Sequence, residues 1–129
     1  MRKVLVVEDQ AEIRKLVRMT LSLKAKQYEI HEAEDGCSGL KLVESVAPDV
    51  VLLDVMMPGD LDGLDVCKRI KEDPSLRDTI VMILSAKGQV ADIEAGESAG
   101  ADAYVVKPFS PLELAEKVEA MCRDRSPSS

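Results

Sequence analysis

Five short apolar segments alternate with five stretches of helical periodicity along this chain of 129 residues. The strand-like segments cover roughly residues 3–7, 28–33, 50–53, 80–84 and 103–106. Four are unbroken apolar runs, as in Val4-Leu5-Val6-Val7 and Val50-Val51-Leu52-Leu53, a pattern of strands covered on both faces. The exception, Tyr28-Glu29-Ile30-His31-Glu32-Ala33, alternates and carries charge, which predicts an edge strand. Apolar stripes mark the intervening helices: Ile13, Leu16, Val17 and Leu21 in the first, then Leu40, Val43 and Val46 in a second that Pro48 ends. Asp62-Gly63 opens a third helix, which stops before Pro74. A fourth, near 89–99, is weakly apolar and contains Gly96, so it is expected to pack least firmly. The fifth has Ser110 as N-cap, Pro111 at its first position and Glu113 to complete a capping box, with Leu114, Val118, Met121 and Cys122 as its stripe.

Strict alternation of strand and helix predicts an α/β fold, a doubly wound five-stranded parallel sheet with right-handed crossovers. The flavodoxin-like strand order 2-1-3-4-5 follows because it places the polar second strand at an edge. It also puts the switch point, where ligands bind at strand carboxyl ends, between strands one and three. One domain is expected over 1–122, with the polar, Ser/Pro-rich residues 123–129 as a flexible tail or the start of a linker.

Charge and composition narrow the function. A net charge of -7 argues against non-specific nucleic-acid binding, and two Tyr, one Phe and no Trp leave no platforms for stacking bases. Cys37, Cys67 and Cys122 form no C-x-x-C pair and read as small buried hydrophobes of a reducing compartment. With no apolar stretch near 18 residues and no signal-peptide core after Met1-Arg2-Lys3-Val4, a cytoplasmic protein without a membrane anchor is expected.

The chemistry collects at one rim of the predicted sheet. Strand one delivers Glu8 and Asp9, strand three Asp54, strand four Ser85, and strand five Lys107 followed by Pro108. Two like charges ~4 Å apart cost about 4 kcal/mol at an effective dielectric near ~20, so three converging carboxylates invite a cation. Hard carboxylate oxygens suit Mg²⁺, which completes its shell with water and phosphate oxygens. Lys107 and Ser85 then suit a phosphoryl group, as point charge and hydrogen-bond donor. Taken singly, each residue has an ordinary structural role: Asp9 as a helix N-cap, Ser85 as a turn residue, Lys107 as a solvated charge.

Four segments carry a closer likeness: Val4-Leu5-Val6-Val7-Glu8-Asp9, Leu53-Asp54-Val55-Met56-Met57-Pro58, Ile83-Leu84-Ser85-Ala86, and Gly100-Ala101-Asp102-Ala103-Tyr104-Val105-Val106-Lys107-Pro108-Phe109. From about residue 3 to 122 the chain resembles the receiver domain of two-component response regulators. The resemblance implies that Asp54 is a phosphoacceptor, charged from a phosphohistidine on a sensor histidine kinase or a histidine phosphotransfer protein. It implies Mg²⁺ ligation by Asp9, Asp54 and the Met56 backbone carbonyl, with Glu8 acting through a water. Lys107 would pair with Asp54 at rest and with the phosphoryl group after transfer, and the Lys107–Pro108 bond resembles one that is cis in this family. Ser85 and Tyr104 would form the switch pair, altering the face made by the fourth helix, fifth strand and fifth helix, through which a phosphorylation-dependent homodimer would assemble. The family's members are phosphorylation switches rather than turnover enzymes.

Two departures stand out. Asp62-Gly63 fall eight and nine residues after Asp54, one later than the receiver pattern, so the loop through Gly59-Asp60-Leu61 is longer by one. Ile93 and Ala103 occupy places where receivers of winged-helix transcription factors carry Arg and Asp for a dimer salt-bridge network. Other motifs fail on spacing. Asp60-Leu61-Asp62-Gly63 has its Gly at EF-hand position four instead of six. Met56 stands where a dehalogenase-like phosphatase needs a second Asp, and no P-loop or dinucleotide fingerprint occurs. His31, the single histidine, has no ligand partner in sequence.

Overall fold

The computed structural model describes residues 2–22, 28–55, 63–86, 100–107 and 110–124, with the backbone alone at 85, 86, 107, 123 and 124. Five strands form one sheet: β1 Arg2–Val7, β2 Tyr28–Ala33, β3 Val50–Asp54, β4 Ile80–Ala86 and β5 Ala103–Lys107. They stand in the order β2-β1-β3-β4-β5, all neighbours parallel. Around them lie helices α1 Ala11–Ser22, α2 Gly36–Val46, α3 Gly63–Glu72 and a C-terminal helix, Pro111–Asp124. The expected fold and strand order are those observed. The fourth predicted helix lies outside the described residues.

The apolar runs are continuous because successive residues face opposite layers, and both layers are covered. Val4, Val6, Val50, Leu52, Met82 and Leu84 pack with Val17 and Leu21 of α1 and with Leu114 and Val118 of the C-terminal helix. Leu5, Val7, Val51, Leu53, Val81 and Ile83 pack instead with Val43 of α2 and Val66 and Ile70 of α3. Each fully buried aliphatic side chain contributes about 1.5–3 kcal/mol.

Several local readings are corrected. Leu16 is exposed, and Thr20 takes the buried place in α1, its hydroxyl satisfied by the Leu16 carbonyl at 2.7 Å. The face of α1 toward the sheet is centred on Val17 and Leu21, and Leu16 falls on its margin. In α2 the tightest contact is Gly39, where an added Cβ would lie 2.8 Å from Val7 Cγ2. β2 does sit at the edge, but its burial does not alternate: Tyr28 to Glu32 are all half-buried. Cys67 and Cys122 are buried as expected, whereas Cys37 is exposed in the first turn of α2. The C-terminal helix starts as read, with the Glu113 amide 3.5 Å from Ser110 Oγ.

Helix α2 begins on Asp35, whose carboxylate accepts from the Ser38 amide at 2.7 Å. It ends on Ala47 in the left-handed region (φ 53°), with Pro48 next. A side chain there is strained, so Ala47→Gly is expected to stabilise the fold by about 0.5–1 kcal/mol in urea titrations.

Candidate functional site

Glu8 follows β1, and Asp54 is the last residue of β3. These strands are neighbours in register, Val7 opposite Leu53, so the two acids arrive level at the switch point of the sheet. The strands run slightly beyond their apolar cores. Asp54 itself pairs with Leu84, and the Val55 amide reaches the Leu84 carbonyl at 3.2 Å. The acceptor candidate is thus held inside the ladder and not in the loop after it.

Carboxylate oxygens of Glu8, Asp9 and Asp54 all lie within 4.8 Å of one another. Glu8 is 0% exposed and Asp54 5%, whereas Asp9 faces solvent. Two buried acids and one open one make a pocket with a wet side. The donor set, three hard oxygens in a cluster of like charge, fits a divalent cation such as Mg²⁺.

Backbone contacts hold this rim in place. The Glu8 amide extends the β1–β2 ladder to the Ala33 carbonyl at 3.0 Å, and Glu8 Oε1 accepts from the Gln10 amide at 3.3 Å. Arg14 reaches back from α1: Nη1 donates to the Glu8 carbonyl at 2.6 Å and Nε to Glu32 at 3.1 Å. Arg18 donates to the other Glu32 oxygen at 2.7 Å and is the main cause holding the Glu32 carboxyl below its ordinary range. One helix therefore ties β1 to β2 beside the acids. The first turn of α1 closes on the Gln10 carbonyl, which accepts from the Ile13 and Arg14 amides.

The same register carries the other strands to this rim. Ser85 pairs with Val106, and Ala86 with Lys107, one and two residues beyond the Asp54–Leu84 pair. Their backbones thus stand at the carboxyl edge, while the side chains of Ser85 and Lys107 lie outside the described residues. So do Met56, the Lys107–Pro108 bond, Ile93 and the loop 59–61. Tyr104 is half-buried against the core layer of α2 and α3, with its hydroxyl buried. Its carbonyl accepts from Lys117 Nζ at 2.7 Å.

Sequence reasoning missed Gly63. It is buried at the start of α3, and an added Cβ would meet the Asp54 carbonyl oxygen. The sequence carried a signal for it in the Asp62-Gly63 pair. It also missed Lys71, which pairs with Asp102 and for which no local signal exists.

Comparison with known proteins agrees with this geometry. The model of the response regulator receiver domain matches residues 4–119. Among relatives, the transcriptional regulatory protein ResD of Bacillus subtilis is 43% identical over 98% of this chain and 50% of its own length. The phosphate regulon transcriptional regulatory protein PhoB of Escherichia coli is 40% identical over 98% of this chain and 54% of its own. The chain spans about half the length of the curated relatives it matches. Among solved structures, the chemotaxis response regulator CheY4 of Vibrio cholerae superposes with a TM-score of 0.84 at 30% identity, covering 93% of this chain and 98% of that one. A sheet in the order β2-β1-β3-β4-β5, an acidic cluster at its switch point and a sequence match along nearly the whole fold coincide, and the chain belongs to the response regulator receiver domain family of two-component signalling.

Proposed function

We propose that Asp54 accepts a phosphoryl group from a phosphohistidine on a sensor histidine kinase or histidine phosphotransfer protein. The observation that carries this reading is the buried Asp54 at the end of β3, with Glu8 and Asp9 carboxylates within 4.8 Å. An Asp54 oxygen attacks phosphorus in line, and the bond from phosphorus to the donor imidazole breaks. The residues that would hold Mg²⁺ are Asp9, Asp54 and the Met56 backbone carbonyl, with Glu8 through a water. When bound, the ion supplies positive charge to the phosphoryl oxygens, so positioning and electrostatics make up most of the catalysis. Lys107 contributes a second positive charge, and Ser85 a hydrogen bond to the transferred group. Water later attacks the acyl phosphate, so the chain acts as a self-resetting switch.

Ser85 and Tyr104 form the switch pair, and the half-buried place of Tyr104 between core and surface supports this. Beyond it, exposed Val106 and Leu112 give the fifth strand and C-terminal helix an apolar surface for a partner or a second copy. ResD and PhoB are named as transcriptional regulators, which supports residues 1–122 acting as the receiver of a regulator of that kind, with 123–129 as a flexible tail or the start of a linker. That output would lie in another domain, since this acidic chain carries a net charge of -7. Among the described residues no helix is long and apolar enough to cross a membrane.

Incubation with acetyl phosphate and Mg²⁺ tests the acceptor. Mass spectrometry is expected to find one base-labile phosphoryl adduct, absent from Asp54→Asn. An unmodified parent protein, or an adduct that survives the substitution, would sink the reading. Sustained turnover of a general phosphomonoester would favour a phosphatase instead.

A further inference from the structure

Helix α3 begins on the acceptor itself. The Gly63 amide donates to the Val55 carbonyl at 3.4 Å. A Cβ on Gly63 would collide with the Asp54 carbonyl oxygen, lie 2.9 Å from the Asp54 carbonyl carbon and 3.1 Å from Val55 Cα. All three neighbours are backbone, so no side chain can swing aside to make room. On helix propensity alone, alanine would be the better residue at this place. A glycine at the first position of α3 is thus explained by close approach to Asp54, and hardly by helix formation.

The loop before it sharpens the point. Gly63 stands nine residues after Asp54, one later than the receiver pattern, yet it occupies this seat.

We propose that Gly63 is a positioning residue for phosphoryl transfer: its bare α-carbon lets α3 clamp the Asp54 backbone, which holds the carboxylate in register with Glu8 and Asp9. The inference rests on the reading of Asp54 as acceptor. A Cβ must push strand end and helix apart, and misplacement of a reacting group by about 1 Å costs on the order of 100-fold in rate.

Parent protein, Gly63→Ala and Ile70→Val are compared for phosphoryl incorporation from acetyl phosphate, with Mg²⁺ affinity by calorimetry and thermal melts alongside. Ile70 is buried on the same helix, two turns from the seat, so Ile70→Val loosens α3 without touching Asp54. Gly63→Ala is expected to slow incorporation on the order of 10- to 100-fold and to weaken Mg²⁺ binding, with Ile70→Val at the parental rate. Equal rates for Gly63→Ala and parent, or equal losses in both variants, would overturn the proposal. Should Gly63→Ala not fold, a glycine inserted between Leu61 and Asp62 decides, because it lengthens the loop and keeps the seat. The parental rate is then expected, and a lost rate would show that loop length sets the acceptor. A parent protein that takes no phosphoryl group at all would instead remove the assignment of Asp54, before any variant is compared.

Discussion

Magnesium at a hundred times its dissociation constant should raise the unfolding free energy by about 2.7 kcal/mol, and Asp54→Asn should abolish most of that increment. The same substitution should stabilise the metal-free protein. Glu8, Asp9 and Asp54 bring three carboxylates within 4.8 Å, two of them buried. Each pair at about 4 Å costs on the order of 4 kcal/mol at an effective dielectric near ~20, and Asn removes two of the three pairings. Solvent around the exposed Asp9, relaxation of the rim and loss of the Lys107 pairing proposed for Asp54 reduce the gain to roughly 1–3 kcal/mol, or about 4 °C in melting temperature per kcal/mol. Melts of both proteins, with MgCl₂ and with chelator, give all four values. If Asp54→Asn melts like the parent in chelator and responds equally to magnesium, the acids are not a cation site.

Lys71→Met should destabilise the protein by about 3 kcal/mol, although Lys71 lies at the opposite edge of the sheet from Asp54. Its ammonium sits 2.7 Å from Asp102 Oδ2, donates to the Thr79 carbonyl at 2.6 Å and to the Arg77 carbonyl at 3.0 Å. The same Asp102 oxygen accepts from the Val81 amide at 2.8 Å. With 14% and 20% of their side chains exposed, the pair is largely withdrawn from water. Removing the ammonium leaves a desolvated carboxylate and two carbonyls to find new partners, and that loss exceeds the worth of an exposed ion pair. Methionine keeps the stem beside Gly100, where an added Cβ would lie 3.1 Å from Lys71 Cγ, so the charge alone is tested. Adding Asp102→Asn should recover part of the loss, since an amide oxygen can still accept from Val81. Urea midpoints at constant slope measure both. A Lys71→Met midpoint equal to the parent's would show that the network carries no net stability.

Lys71 also illustrates what a linear reading leaves out. In sequence it is one more charge on a helix, and its partners at Arg77, Thr79 and Asp102 come from a turn and from the loop before β5. Nearby, burial pushes the Cys67 thiol up to about 11, with the Lys71 ammonium partly opposing, so the reading of Cys67 as an inert hydrophobe stands on its surroundings. Cys37, with the same chemistry, is exposed because it falls in the first turn of α2. Leu16 and Thr20 exchange expected places for a related reason: a stripe read from hydrophobicity alone cannot say where its margin falls, and the Thr20 hydroxyl is satisfied within the helix. In β2, Arg14 and Arg18 reach over Glu32 from α1, while Tyr28 and Ile30 pack against the core layer of α1 and the C-terminal helix.

The sequence by itself determined the alternation of strand and helix, the two-sided burial of the sheet, its strand order and the collection of acids at one rim. These follow from local periodicity, because a run of apolar residues has few ways to be covered and polar groups collect at its ends. Tertiary structure alone decided which small residues are close contacts and which charges are paired. Gly39 against Val7, Gly63 against Asp54 and Lys71 against Asp102 join separate elements, and such contacts depend on distances between backbones that no single element specifies.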